Sequence, residues 1–550
     1  MAAGAGAGAL AAALLASPAS AATFTVTNLN DSGAGSLRQA LLDAGTAPGA
    51  DVIDFAPGVT GTITLASDFP TITESVAITG PGSNALTISG DDAYHVFDLN
   101  AVGASGVTIS GLTITQSAST ALQNRGGAIS ALDSGLTLND VHLTNNHATS
   151  AVTSTSGGGL HVDNDAGLGD VVISNTVIDH NWASTTNGLS LAGGANITAD
   201  NVSISDLVVD TNWSQQMGGL VVFAANQATI DNTAITQNHS LSFIGGLSFA
   251  GTSARISNST ITGNVADGSV GGGYLGGLGT GAASTALSIT NTNISNNSAG
   301  SDVGGAIIVA LDGQAEIDRL TSTNNFGTLV GGLELLGSGT ISSSTIANNH
   351  GDGINLGYGF GPVSVATCSQ STSNAIQPAT SFNPADTTVR FANTTVSGNS
   401  RNGIDDSAHG LTVGAASMAP SRLRPSSCSS PSLAPINVGL VHTLAADNGG
   451  EDVVSPSVAL FSLIEKPNAA VLAGYGTVTG VDPGLLPLQS VSATVSVVPI
   501  EIGSAAWDAG WPDFTPPPAT DQRGLPRVVD IIDIGAYEVQ EPVALPRFTG

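Results

Sequence analysis

The chain has 550 residues, with 42 acidic and 12 basic side chains, a formal charge of −30, and a single lysine, Lys466. That balance excludes a nucleic-acid backbone as partner and disfavours an anionic lipid surface; the acidity itself fits a solvated exterior. Seventy glycines without a triplet period exclude collagen, and 41% apolar residues with only 4% aromatics fit many short strands joined by tight turns.

Residues 1–21 read as an export signal peptide. Met1 to Ala16 is apolar and Ala-rich, and Ala19-Ser20-Ala21 supplies a small-x-small cleavage pattern, although no Lys or Arg precedes Arg38. No later run of about 20 apolar residues could span a bilayer, so no transmembrane segment is expected. Residues 22–60 are assigned to an N-terminal strand and a capping helix. Leu37, Ala40, Leu41 and Ala44 share one helical face, Ser36 is placed as N-cap, and Gly45 as stop. Asp51-Val52-Ile53-Asp54-Phe55 then resumes strand character. The stretch FTVTNLNDSGAGSLRQALLDA, followed by GADVIDFAPGVTGTITL, resembles the N-terminal region of bacterial surface β-helix proteins with a CSLREA-type motif. Gly35 stands where that motif has Cys, and Gln39 where it has Glu.

Residues 61–440 are read as repeats. The unit is an aliphatic residue, a small polar residue two places on, a second aliphatic, and a closing Asn. It appears as Ile230-Asn232-Ile235-Asn238, Ile256-Asn258-Ile261-Asn264 and Ile173-Asn175-Ile178-Asn181. Ile317 to Asn325 is a degenerate copy with Ser322 in the second aliphatic slot. The closing Asn residues from Asn146 to Asn349 advance by 24 to 35 residues. A leucine-rich repeat has a similar period, but these units show Ile/Val/Thr alternation and no helical stripe. The predicted fold is therefore all-β, a right-handed parallel β-helix (solenoid) with an N-terminal capping helix. It would have roughly fifteen coils stacked into a rod about 70 Å long. Inward aliphatics would form files, and the Asn residues either a hydrogen-bonded ladder or a series of left-handed turns. Glycine pairs such as Gly218-Gly219 and Gly245-Gly246 would mark a corner by tolerating positive φ. These repeats resemble those of polymorphic outer-membrane proteins.

An irregular Ser- and Pro-rich insertion is assigned near 360–435. It holds both cysteines, Cys368 and Cys428, a disulfide candidate if the compartment is oxidising, with two free thiols as the alternative. Residues 441–540 are read as C-terminal coils and a closing domain, and 541–550 as a tail. Val481-Asp482-Pro483-Gly484-Leu485, then GSAAWDAG, DQRGLPR and DIGAYE, resemble the choice-of-anchor Q domain of surface β-helix proteins. Together the resemblances imply architecture, secretion or cell-surface localisation, and no particular activity.

Chemistry-bearing residues are few. Asp405, Asp406 and His409, near Arg401, form the best acid/base cluster, against a polar turn as the alternative. If the chain cleaves polysaccharide, as lyases and hydrolases of this fold class do, these would be the catalytic residues. Asp91, Asp92 and His95 form a second such group. Asp163 and Asp165 are metal candidates for Ca²⁺, without EF-hand spacing; no other cofactor is expected. His147, His180, His239 and His350 border repeat Asn residues and could line one edge of the rod, or be ordinary turn residues. Trp182 and Trp213 each directly follow a repeat Asn and are the glycan-binding candidates, with loop packing as the alternative. The sequence points to a monomeric, non-catalytic surface scaffold or adhesin that binds polysaccharide or a cell-surface ligand.

Overall fold

The computed structural model describes residues 21–100, 103–119, 125–151, 153–164, 169–277, 286–357, 388–405, 437–454, 457–469, 471–474, 476–511 and 518–540. Each repeat makes one turn of a right-handed parallel β-helix. In one coil the strands are Leu220–Asp231, Ala234–Thr236 and His239–Ser240. In the next they are Leu247–Ser257, Thr260–Thr262 and Val265–Ala266. All three pairs are parallel, with Ile230 opposite Ile256 and Ile235 opposite Ile261. The file through Ile230 continues to Ile204, Ile173 and Leu138 on one side and to Ile289, Ile317 and Ile341 on the other. These side chains are at most 1% exposed, and each such burial is worth about 2 kcal/mol. A single coil has nothing to bury them against, so stacking is what makes the unit fold.

The rod begins under the helix Leu37–Ala44. Ser36 accepts the N–H of Gln39 as the N-cap, and Leu37, Ala40, Leu41 and Ala44 are buried against the first coils. This lid satisfies an end that would otherwise present unpaired strand edges.

Of the two alternatives for the closing Asn, the ladder is what forms; the left-handed turns fall at other positions. The small polar slot and the residue before the closing Asn turn through positive φ, as at Asn232 (45°) and Gln237 (52°). The closing Asn itself is buried and forms the ladder. The amides of Asn146, Asn181, Asn212, Asn238, Asn264, Asn297, Asn325, Asn349, Asn399 and Asn448 each bond the next. Asn238 is typical. Its Nδ2 donates to Val209 O and to Asn264 Oδ1, both at 3.0 Å. Its Oδ1 accepts the backbone N–H and the Nδ2 of Asn212, also at 3.0 Å. At the far end Asn448 Nδ2 donates to Asp452 Oδ1 (2.8 Å), which ends the series with a carboxylate. Ser322, in the degenerate coil, stays in register between Ile294 and Ile346, and its hydroxyl accepts from Asn325.

The glycine pairs have a different cause from the one expected. Gly218, Gly219, Gly245 and Gly246 do not adopt positive φ. They are glycines because there is no room: a Cβ on Gly219 would lie 2.5 Å from Gly246 O and 2.9 Å from the Asn238 amide. The pair lets the strand lie flat on the Asn ladder. Gly219→Ala is expected to lower stability by about 2 kcal/mol, the scale of core overpacking, measured by denaturant unfolding.

Outside this core lies a second, smaller one. The residue immediately before several glycine pairs is apolar: Met217, Ile244, Val270, Val303 and Val330. They bridge coil to coil as a file and bury the outward faces of Val221, Ile307 and Val309. The strands there are covered on both sides, which explains unalternating runs such as Leu220-Val221-Val222.

Within the stretch 360–435, the strands Thr388–Ala392 and Thr395–Ser397 form a regular coil between those at Ile341 and Leu440. Cys368 and Cys428 lie outside the described residues, as do residues 1–20 and 541–550.

From about residue 481 the chain leaves the helix and runs back along its side. Thr494 Oγ1 bonds Asn291 Oδ1 (3.0 Å), and Ser496 N donates to Thr321 Oγ1 (3.0 Å). Further contacts join Gln522 to Thr345 (2.6 Å), Arg527 to Asn393 (3.1 Å) and Ala536 to Thr395 (3.0 Å). The DQRGLPR and DIGAYE stretches form the clasp of this strap. Asp521 pairs with Arg523 (2.6 Å), which lies over the Tyr537 ring (3.8 Å). Arg527, fully buried, donates to the carbonyls of Asp533 and Gly535. Burial pushes the carboxyls of Asp533 and Glu538 up, to about 6 and about 7. These residues hold the strap shut, which gives their sequence pattern a structural explanation.

Candidate functional site

The residue directly after each ladder Asn points outward, because strand side chains alternate and the next residue, such as Ala148 or Ala183, faces in and is buried. These outward residues form one file by register. His147 lies opposite Trp182, Trp182 opposite Trp213, and Trp213 opposite His239. The file continues through Val265, Ser298, Phe326 and His350. The rings of His147 and Trp182 stack with centroids 4.8 Å apart and planes 11° apart. Those of Phe326 and His350 stack at 4.4 Å and 3°. Trp182 is 38% exposed and Phe326 45%, unusual for rings of this size. Burial lowers the pKa of His147, against the nearby Asp92 that raises it, so its ring stacks in the neutral form. His239 Nε2 lies 3.1 Å from Asp267 Oδ1.

The sequence candidates Trp182 and Trp213 are thus on adjacent rungs of one outward-facing file, Trp182 exposed and Trp213 half-buried. His147, His239 and His350 share that file. His180 does not: it occupies the left-handed corner before Asn181, with Nδ1 3.5 Å from Asp179 Oδ1. Phe326 was missed by sequence reasoning, although it follows Asn325 by the same offset as the tryptophans follow theirs.

The acidic candidates are elsewhere. Asp405 lies on a file with Glu334 and Asn355, on strands covered by the outer apolar layer. It is 2% exposed and accepts from Asn402 Nδ2 at 2.7 Å. Arg401 is drawn to Asp352, with Nε 3.6 Å from its Oδ1. Asp406 and His409 lie outside the described residues. Glu334, which sequence reasoning did not single out, is 2% exposed, and its Oε2 has no hydrogen-bond partner. Burial first, and then Asp302, push its carboxyl up to about 8. Asp91 and Asp92 sit in an exposed left-handed turn, whereas His95 is buried with Nε2 2.6 Å from Gly126 O. They do not form one cluster. Asp163 pairs with Arg125 (3.3 Å), and Asp165 lies outside the described residues. Among the described residues no three His, Cys, Asp or Glu side chains converge as a metal site, and no helix is long and apolar enough to cross a membrane.

No family model matches the chain, and no curated protein does. Among solved structures, the chain is similar to pectate lyase Pel9A at 12% identity. The alignment covers 94% of this chain and 96% of that one, with a TM-score of 0.34.

Proposed function

We propose that this chain is an exported, adhesin-like β-helix scaffold that holds polysaccharide on the aromatic file and does no chemistry on it. The observation that carries the reading is the pair Trp182–Trp213 on neighbouring rungs, with Trp182 exposed and stacked on the His147 ring and Trp213 half-buried beside it. A flat indole offers a sugar ring an apolar surface to stack on, and a rigid rod presents it without an ordering cost. Export follows from residues 1–21 as read in the sequence.

The second reading, cleavage of acidic polysaccharide through Asp405, has one observation in its favour. Glu334, on the same file, carries its proton near neutral pH, as a general acid must. Two features weigh against it. Both carboxyls are shut away from solvent, and the chain has few cations to receive an anionic sugar.

Trp182→Ala is expected to weaken polysaccharide binding roughly ten-fold, the scale of one lost aromatic contact. Retardation in polysaccharide-containing native gels and tryptophan-fluorescence titration measure it. Binding equal to that of the parent would move the ligand off this face. A reducing-sugar assay on the same material should stay at background; product release abolished by Asp405→Ala would favour the enzyme.

A further inference from the structure

The aromatic file contains two stations, not one. The first is His147–Trp182–Trp213–His239 and the second is Phe326–His350. Between them the file drops to the smaller side chains of Val265 and Ser298. From Trp213 to Phe326 is four strand spacings, about 19 Å along the rod.

Neutral amides line part of the same edge, whereas the equivalent positions beside Trp182, Trp213 and Val265 are His180, Thr211 and Gly263. Asn145, Gln237, Asn296, Asn324 and Asn348 each sit two residues before a member of the file. All have φ between 52° and 57°, and all are exposed at the corner. They are fixed by the turn and not by a ligand; Asn145 and Asn296 each donate one Nδ2 bond to the preceding hydroxyl, of Thr144 and Ser295, and otherwise face outward. No Lys or Arg occurs in the file or in this row. The charge beside it is mainly carboxylate, Asp267 against His239 and Asp179 against His180, and Arg401, near the second station, is already drawn to Asp352.

We infer that the ligand is an uncharged, extended polysaccharide lying parallel to the rod axis and gripped at both stations, with Phe326–His350 as a second subsite. This rests on the aromatic file being a sugar-binding face. Ring faces take the apolar sides of sugar units, and the amide row takes their hydroxyls. An anionic chain would meet carboxylates, with the nearby Arg401 already committed to Asp352. The two subsites are rigidly spaced, so one long chain engages the second at high effective concentration.

The test uses the full chain with galactomannan and mixed-linkage β-glucan as uncharged probes, and polygalacturonate and alginate as anionic ones. Calorimetry then compares a short fragment, able to reach one station, with a chain long enough for both. The uncharged polysaccharides should bind and the anionic ones should not. The long chain should bind roughly a hundred-fold tighter than the fragment. Phe326→Ala should remove that gain and lower the number of fragments bound per chain from two to one, and Trp182→Ala should weaken both fragment and long-chain binding. A length gain untouched by Phe326→Ala, or preference for the anionic chains, overturns the inference and leaves the sugar-binding reading standing. Failure of every polysaccharide to bind sinks both. So does concentration-dependent dimerisation that Phe326→Ala abolishes, since the face would then be a contact between copies of this chain.

Discussion

Asn238→Ala is expected to cost about 4 kcal/mol of stability, more than most single substitutions in the aliphatic files. The change leaves the backbone N–H and one Nδ2 hydrogen of Asn212 without an acceptor, and takes a donor from Val209 O. Each such group is buried, and stranding one costs about 1–3 kcal/mol. Asn238→Asp should be worse at neutral pH. A carboxylate there faces Val209 O and Asn264 Oδ1, two acceptors, in a place with no cation. The substituted carboxyl would have its folded pKa raised above the unfolded one. The deficit relative to Ala should therefore be small below about pH 4 and grow as pH rises. Denaturant unfolding of the three proteins across that range measures it. Asn238→Ala within about 1 kcal/mol of the parent would mean that the ladder is decoration on the aliphatic files.

Glu334 is expected to make the coils around it less stable as pH rises. Its carboxyl titrates near 4.5 when unfolded and at about 8 when folded. Below the lower value both states hold the proton and nothing is lost. Between the two, unfolding releases a proton, so stability falls through neutral pH and levels off only above about 8. At pH 7 the deficit is roughly 3 kcal/mol. Glu334→Gln keeps the shape and removes the titration. It should unfold later than the parent at about pH 7.5, match it at about pH 4, and show a flatter profile between. A variant with the parent's slope would assign the dependence to other groups, the clasp carboxyls Asp533 and Glu538 first among them.

What the sequence made legible follows from what repeats. Ile230 and Ile256 share an environment because each coil must bury the same position, and that periodicity survives in the letters. The Asn ladder was legible for the same reason. Trp182 and Trp213 could be placed because they keep a fixed offset from Asn, and Phe326 could have been placed by the same count. Glu334 could not. Its burial comes from an outer layer built by single residues ahead of the glycine pairs, and nothing in Leu333-Glu334-Leu335 tells which side is covered. The clasp was visible only as a resemblance, since its partners Thr345, Asn393 and Thr395 lie more than a hundred residues away. Alternation of side chains says nothing about a segment that returns from the far end.

That returning segment changes how the molecule comes apart. A stack of coils in which each touches only its neighbours can fray one unit at a time, and damage stays local. Here Asn293 and Ala493 are joined across 200 residues, and the same strap reaches Thr321, Thr345, Asn393 and Thr395. The coils beneath it lose their independence and melt as one cooperative block. Those from Ile109 to Ile261, outside its reach, remain separable links. The second aromatic cluster sits within the tied block and the first among the free links, so local unfolding reaches the first more readily than the second.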